Sequence, residues 1–225
     1  MKRVLVVGAS RGIGLELVRQ YRDAGCAVTA TARSDEGMVR LQALGARPLW
    51  LDLATAAAAS ALAGPVRGEA FDVVLLCAGV YGPRSSGLQA PTQDEFDSVM
   101  HTNLLGAMRV LPQVVDALAV SEPLPRLAVV SSRLGSIGLR TSASGWLYRA
   151  SKAALNSVLK DTSLALAGKA ICVALHPGWV RTDMGGANAD IDVQTSVADM
   201  RRTLAALTPA EHGGFFNHDG QPLAW

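Results

Sequence analysis

Short apolar runs rich in β-branched residues recur along this chain, each followed, after a turn or loop, by a stretch with helical periodicity. The runs are Arg3 to Val7, Ala27 to Ala32, Pro48 to Leu51, Phe71 to Cys77, Leu127 to Val130 and Ala170 to Leu175. They are too short for helices and lack polar alternation, so they read as strands covered on both faces. Gly14 to Ala24, Glu36 to Leu44, Ala54 to Ala63, Thr92 to Ala119 (two helices or one bent helix), Trp146 to Leu166 and Thr195 to Leu207 read as helices. Gly25, Gly45, Gly64 and Gly168 each stand just past a helical stretch, where a left-handed cap favours glycine. Gly214 to Asn217, with Leu223 to Trp225, reads as a last strand. Right-handed crossovers place each helix against the sheet, so the alternation predicts an α/β fold: a doubly wound parallel sheet of the Rossmann type, one domain over residues 1–225. Ligands of such sheets bind beyond the carboxyl ends of the strands.

The balance of charge narrows the partners. A net charge of +2 is spread thinly, with Arg201-Arg202 the longest basic run, which argues against nucleic acid. The opening MKRVLVVGAS has an apolar run of only Val4 to Val7, too short for a secretion signal, and no apolar stretch reaches the roughly 20 residues of a membrane span. The expected setting is cytoplasmic. Cys26, Cys77 and Cys172 sit in or beside apolar runs as reduced thiols, and neither they nor the four histidines show metal-ligand spacing.

After the first strand comes Gly8-Ala9-Ser10-Arg11-Gly12-Ile13-Gly14, opening the first helix. Glycines there allow a tight turn and close approach to a pyrophosphate, whose charge the helix N-terminus stabilises. The same residues contain Gly8-x-Ser10-x-Gly12, the pattern of a hydrolase nucleophile elbow, with His101, His176, His212 and His218 as candidate bases; the first strand is the wrong place for such an elbow. At the second strand's end, Arg33 stands where an acid would contact a ribose 2′-hydroxyl. A cation there, with Arg11 as a second, favours a 2′-phosphate and hence NADP(H) over NAD(H); the alternative is a solvated charge paired with Asp35 or Glu36.

Tyr148 and Lys152 are four apart in a helical stretch, so both face one way. At about 5 Å and an effective dielectric of about 20, the ammonium would stabilise a phenolate by about 3 kcal/mol, moving a tyrosine pKa from about 10 toward 8. Ser132, closing the strand Leu127 to Val130, points a hydroxyl at the same crevice.

With these motifs in this order, the chain resembles the short-chain dehydrogenase/reductase family over essentially its whole length. Its Arg-Ala-Ser-Lys and its ending Gly-Gly-Phe-Phe-Asn-His-Asp-Gly look most like the small C-factor-like and carbonyl-reducing branch. The resemblance implies an NAD(P)-dependent oxidoreductase acting on a small carbonyl or alcohol. Tyr148 would be the proton donor, Ser132 the hydrogen-bond donor to the substrate oxygen, and Lys152 the group that lowers the tyrosine pKa and holds the nicotinamide ribose. Asn103 matches the family's helix asparagine, associated with a water chain to the lysine; its plainer role is to bend the helix. Asp52, before Leu53, matches the acid near the adenine, or is simply a helix cap. Pro177-Gly178 with Val180 and Thr182 matches the loop at the nicotinamide carboxamide. A homodimer or homotetramer is implied, with a monomer also known among relatives.

Two departures stand out. Leu76-Cys77-Ala78-Gly79 replaces the usual Asn-Asn-Ala-Gly, although Ala78-Gly79 still permits close passage of a cofactor. The sixteen-residue separation of Ser132 and Tyr148 is long, leaving Ser136, Ser142 and Ser144 as alternative hydroxyls. From Met184 onward the chain is polar and glycine-bearing, as a substrate lid or an ordinary loop would be. The reading from another class is a cofactor-binding signalling or sensing protein with little turnover.

Overall fold

The computed structural model describes residues 1–225, except for the side chains of residues 56–60. Seven strands form one sheet: β1 (Arg3–Val7), β2 (Ala27–Ala32), β3 (Arg47–Trp50), β4 (Val73–Leu76), β5 (Arg126–Val130), β6 (Ile171–His176) and β7 (Gly214–Asn217). Their order is β3-β2-β1-β4-β5-β6-β7, and every neighbouring pair is parallel. The chain winds outward from β1 to β3, returns to β4 on the other side of β1, and winds outward again. A crevice opens where the winding reverses.

The helices are α1 (Gly12–Asp23), α2 (Asp35–Ala43), α3 (Ala56–Val66), α4 (Gln93–Met100), α5 (Gly106–Val115), α6 (Trp146–Ala165) and α7 (Val193–Ala206). Alternate strand residues feed two cores. Val4 and Val6 pack with Leu17, Leu41, Met200 and Leu204 from α1, α2 and α7. Leu5 and Val7 pack with Leu62, Val110, Leu155 and Leu159 from α3, α5 and α6. Covering on both faces explains the unbroken apolar runs. No helix among the described residues is long and apolar enough to cross a membrane.

Some expectations need correction. Gly64 does not end its helix; α3 runs through Pro65 to Val66, and Gly68 takes the left-handed turn at φ +73°. Val66 and Leu62 anchor that last turn in the core. Thr92 to Ala119 takes the single-helix alternative, one continuous helical run from Gln93 to Val115 with a π-helical turn at His101–Leu105 between α4 and α5. Leu223 to Trp225 is no strand: Leu223 donates to the Phe215 carbonyl, the Trp225 ring stacks on Phe215, and the Trp225 carbonyl caps Gly138. His212, named above as a candidate base, lies on the turn before β7 with its ring nitrogens engaged. Its Nδ1 accepts from the Cys172 amide at 3.2 Å and its Nε2 meets the Ser163 carbonyl at 2.8 Å, tying β6 to α6.

At the end of β6 the His176 Nδ1 is buried without a hydrogen-bond partner. Burial, aided by the His218 and Arg133 charges, pushes its pKa down from 6.5 to about 4. Between those values the unfolded chain binds a proton that the folded chain refuses, so stability is lost as pH falls through that window. His176→Leu is expected to flatten this acid limb, removing as much as about 3 kcal/mol of pH dependence, read from urea midpoints at pH 7 and pH 4.

Candidate active site

The first βα turn is pressed against the end of β4. Gly8 holds φ +83°, donates its amide to the Thr31 hydroxyl at 2.9 Å, and leaves no room for a side chain: a β-carbon would lie 2.6 Å from the Ala78 backbone. The α1 N-terminus beyond it has no side-chain cap and no acid in its first turn. Its free amides open onto a cavity of about 270 Å³. Uncapped amides and a glycine-lined wall fit a dinucleotide pyrophosphate.

Of the residues expected to hold a dinucleotide, Gly8, Ser10, Arg11, Gly12, Ile13, Gly14, Arg33, Asp52, Leu53, Ala78, Gly79 and Thr182 line this cavity. Pro177, Gly178 and Val180, in the loop after β6, are not among the residues that line it. The Pro177 carbonyl accepts from the buried Ser196 hydroxyl at 2.6 Å, while Val180 is buried and its carbonyl accepts from Thr182 at 3.3 Å. From Met184 the chain forms a hydrogen-bonded turn, with the Gly186 amide bonded to the Thr182 carbonyl and the Trp179 indole bonded to the Gly185 carbonyl.

The cations at the rim are partnered differently from the sequence expectation. Arg33 stands 3.8 Å from Asp52, not paired with Asp35 or Glu36, and Arg11 stands 3.3 Å from Asp183. Asp52 also accepts from the Ala54 amide, while Thr55 is the N-cap of α3, so Asp52 closes a local turn instead of capping the helix. Arg40, which drew no attention in the sequence, donates to the Ser10 carbonyl at 3.2 Å. Ser10 forms no side-chain hydrogen bond to a histidine among the described residues, and His218 is committed to Asp199 at 2.8 Å, so the hydrolase pattern finds no triad.

Beyond this cavity, at the carboxyl end of β5, lie Ser132, Tyr148, Lys152 and Asn103, all buried. Tyr148 and Lys152 share one face of α6, with the ammonium 5.8 Å from the Tyr148 ring centroid. Lys152 Nζ donates to the Val130 carbonyl at 2.9 Å. The Asn103 amide, carried by the π turn, holds both the N–H and the carbonyl of Val80 at 2.8 Å and donates to the Ser151 hydroxyl at 2.9 Å. It thus pins the loop after β4. A β-carbon on Gly79 would meet Asn103 Oδ1 at 3.3 Å and Lys152 Nζ at 3.4 Å. Among the other hydroxyls, Ser136 donates to the Trp225 carbonyl, and Ser142 and Ser144 bond each other in the open.

The electrostatics depart from the simple ion-pair picture. Burial pushes the Tyr148 phenol up to about 12; the Ser132 hydroxyl pulls it back only in part, and Tyr81 adds to the rise. The direction is opposite to the expected drop toward 8: removal of water from the phenolate is the largest effect, and the Lys152 ammonium gives its hydrogen bond to the Val130 carbonyl. Lys152 itself is pushed down to about 8 by burial. Cys77, lining the cavity, is pushed up to about 12 and is not a ready nucleophile.

A family model described as short chain dehydrogenase matches residues 2–191. The C-signal of Myxococcus xanthus is 37% identical over 167 residues, covering 72% of this chain and 94% of that protein. The carbonyl reductase Sniffer of D. melanogaster superposes with a TM-score of 0.89 at 33% identity, covering all of both chains. An NADPH-bound carbonyl reductase from chicken fatty liver gives a TM-score of 0.86 at 29% identity, covering 100% of this chain and 94% of that one.

Gly8→Ala is expected to abolish dinucleotide binding and to cost about 1–3 kcal/mol from its left-handed backbone alone, before the clash with Ala78 is counted. Fluorescence titration with NADPH and a thermal melt check both outcomes; retained binding would contradict the cradle.

Proposed function

The chain belongs to the short chain dehydrogenase family, and on that footing we propose that it is an NADP(H)-dependent oxidoreductase interconverting a carbonyl and a secondary alcohol, with Tyr148 as proton donor and acceptor. The observation that carries the reading is the convergence of Ser132, Tyr148 and Lys152 in one dry site beside a glycine-lined cavity. The NADPH-bound state of the chicken carbonyl reductase supports the choice of cofactor.

The Gly8 to Gly14 turn would hold the pyrophosphate, Asp52 the adenine side, Arg33 and Arg11 the 2′-phosphate, Lys152 the nicotinamide ribose, and the Pro177 to Thr182 loop the carboxamide end. When bound, the nicotinamide supplies the hydride. The chain supplies the proton: the buried Tyr148 phenol is protonated at neutral pH, and because burial also makes it a weaker acid, transfer depends on the phenolate being stabilised as it forms. Ser132 donates a hydrogen bond to the carbonyl oxygen as negative charge gathers on it. Lys152 is charged below about 8, and its ammonium attracts the phenolate that proton transfer leaves behind. That attraction grows only as the proton moves, so it lowers the barrier without stabilising the resting state.

A second reading, a dinucleotide-binding signalling protein with little turnover, draws on the likeness to the protein named C-signal. Binding of NADPH without turnover across aldehydes, ketones and quinones would favour it.

Three outcomes are expected. Tyr148→Phe should lower carbonyl reduction by about 10²–10⁴-fold with NADPH affinity nearly unchanged, and equal rates would end the tyrosine's role. Because the charged lysine is present below about 8, kcat/KM should be level there and fall above it, and Lys152→Arg should move that limb out of range. NADPH should bind more tightly than NADH, with Arg33→Ala narrowing the gap by about 10-fold; tighter NADH binding would contradict the role of Arg33.

A further inference from the structure

The phenol read above as the proton donor does not hold its place through its own helix alone. The Tyr81 ring lies against it, with centroids 4.6 Å apart and planes 22° from parallel. The Arg84 guanidinium stands 5.2 Å from the Tyr81 centroid and donates to the Met184 carbonyl at 2.9 Å, linking the loop after β4 to the loop after β6. At the start of α6, Gly145 sits at φ +64°, and a β-carbon there would lie 2.6 Å from the Tyr81 hydroxyl oxygen. The glycine leaves the space that the Tyr81 phenol enters. The Gly145 amide donates to the Ser85 carbonyl at 3.1 Å, and the Trp146 indole to the Gln89 carbonyl at 2.8 Å. Just upstream, Asn103 clamps Val80 on both its backbone groups. None of these contacts joins strands of the sheet. They fasten a loop whose one inward ring is laid on Tyr148.

We propose that Tyr81 is a positioning residue: it fixes the Tyr148 ring by stacking and keeps water from it, braced in turn by Arg84. The inference rests on the reading of Tyr148 as proton donor. A phenol must present its hydroxyl to the carbonyl oxygen within hydrogen-bond reach, and a ring free to swing spends little time there. Tyr81 also contributes to the elevated pKa of Tyr148, so its removal should expose the phenol and let it ionise at lower pH.

The test compares wild type, Tyr81→Leu, Tyr81→Phe and Tyr148→Phe, with steady-state reduction of one carbonyl substrate, NADPH titration, and phenolate absorbance against pH. Tyr81→Leu is expected to lower kcat by about 10- to 100-fold with NADPH affinity unchanged, and to bring the Tyr148 ionisation down toward that of a free phenol, assigned by its loss in the Tyr81→Leu/Tyr148→Phe double variant. Tyr81→Phe keeps the ring and should restore most of the rate. An unchanged kcat in Tyr81→Leu, or a rise in the carbonyl KM alone, would overturn the proposal while leaving Tyr148's role intact. Equal rates for wild type and Tyr148→Phe would instead overturn the reading beneath it, and the proposal with it. If leucine is not tolerated, Arg84→Gln at an exposed position probes the same column: kcat falls several-fold if the column positions Tyr148, and stays at the wild-type value if it does not.

Discussion

An ammonium and a phenol buried on one helix face are costly to fold, and the arrangement around them offsets that cost. Lys152 is out of water but donates to the Val130 carbonyl, and burial leaves its pKa near 8, so it still carries charge at neutral pH. Tyr148 avoids the cost by staying protonated. The two therefore do not form a resting ion pair. In the proposed reaction the cation waits beside a neutral acid, and the electrostatic gain is deferred until the proton leaves.

The winding of the sheet brings this pair to the cofactor cavity. Because β4 returns beside β1, the ends of both strands meet, and Gly8 and Ala78 touch backbone to backbone. The next residue, Gly79, passes Asn103 and Lys152 with no side chain of its own, so the cavity floor and α6 are separated by one bare backbone unit. The π turn at His101–Leu105 rotates Asn103 out of the ordinary helical register and into contact with Val80 and Ser151. Such turns are frequent where a helix must aim a functional side chain.

Much of this was legible in the chain itself. Strands buried on both faces need unbroken apolar residues, so β1 and β2 match their sequence limits residue for residue, whereas the last strand keeps Gly214 to Asn217 but not Leu223 to Trp225. The left-handed caps at Gly25, Gly45 and Gly168 follow from the one conformation that glycine adopts freely. Gly64-Pro65 misled because a local stop signal competed with the burial of Leu62 and Val66, and the core prevailed. The π turn leaves no periodic trace, since one extra residue per turn cannot be told from a slightly bent amphipathic helix. The residues of the site were readable from spacing, but its electrostatics were not. Whether a lysine acidifies a tyrosine depends on how much water each has lost and where the ammonium's hydrogen bond goes, and neither is written in a four-residue interval. Tyr81 lay in a loop with no period to mark it; Gly145, just ahead of α6, was the one local hint.

The proposed chemistry turns on the protonation state of a single phenol. Selective labelling of tyrosine Cζ with ¹³C, with Tyr148→Phe to assign the resonance, follows that oxygen directly by NMR. A Tyr148 signal that stays un-ionised well past pH 10 and moves toward a midpoint near 12 is the predicted result. A midpoint near 8 would mean that the lysine charge outweighs burial in the resting protein, and the deferred attraction described above would have no place in its mechanism.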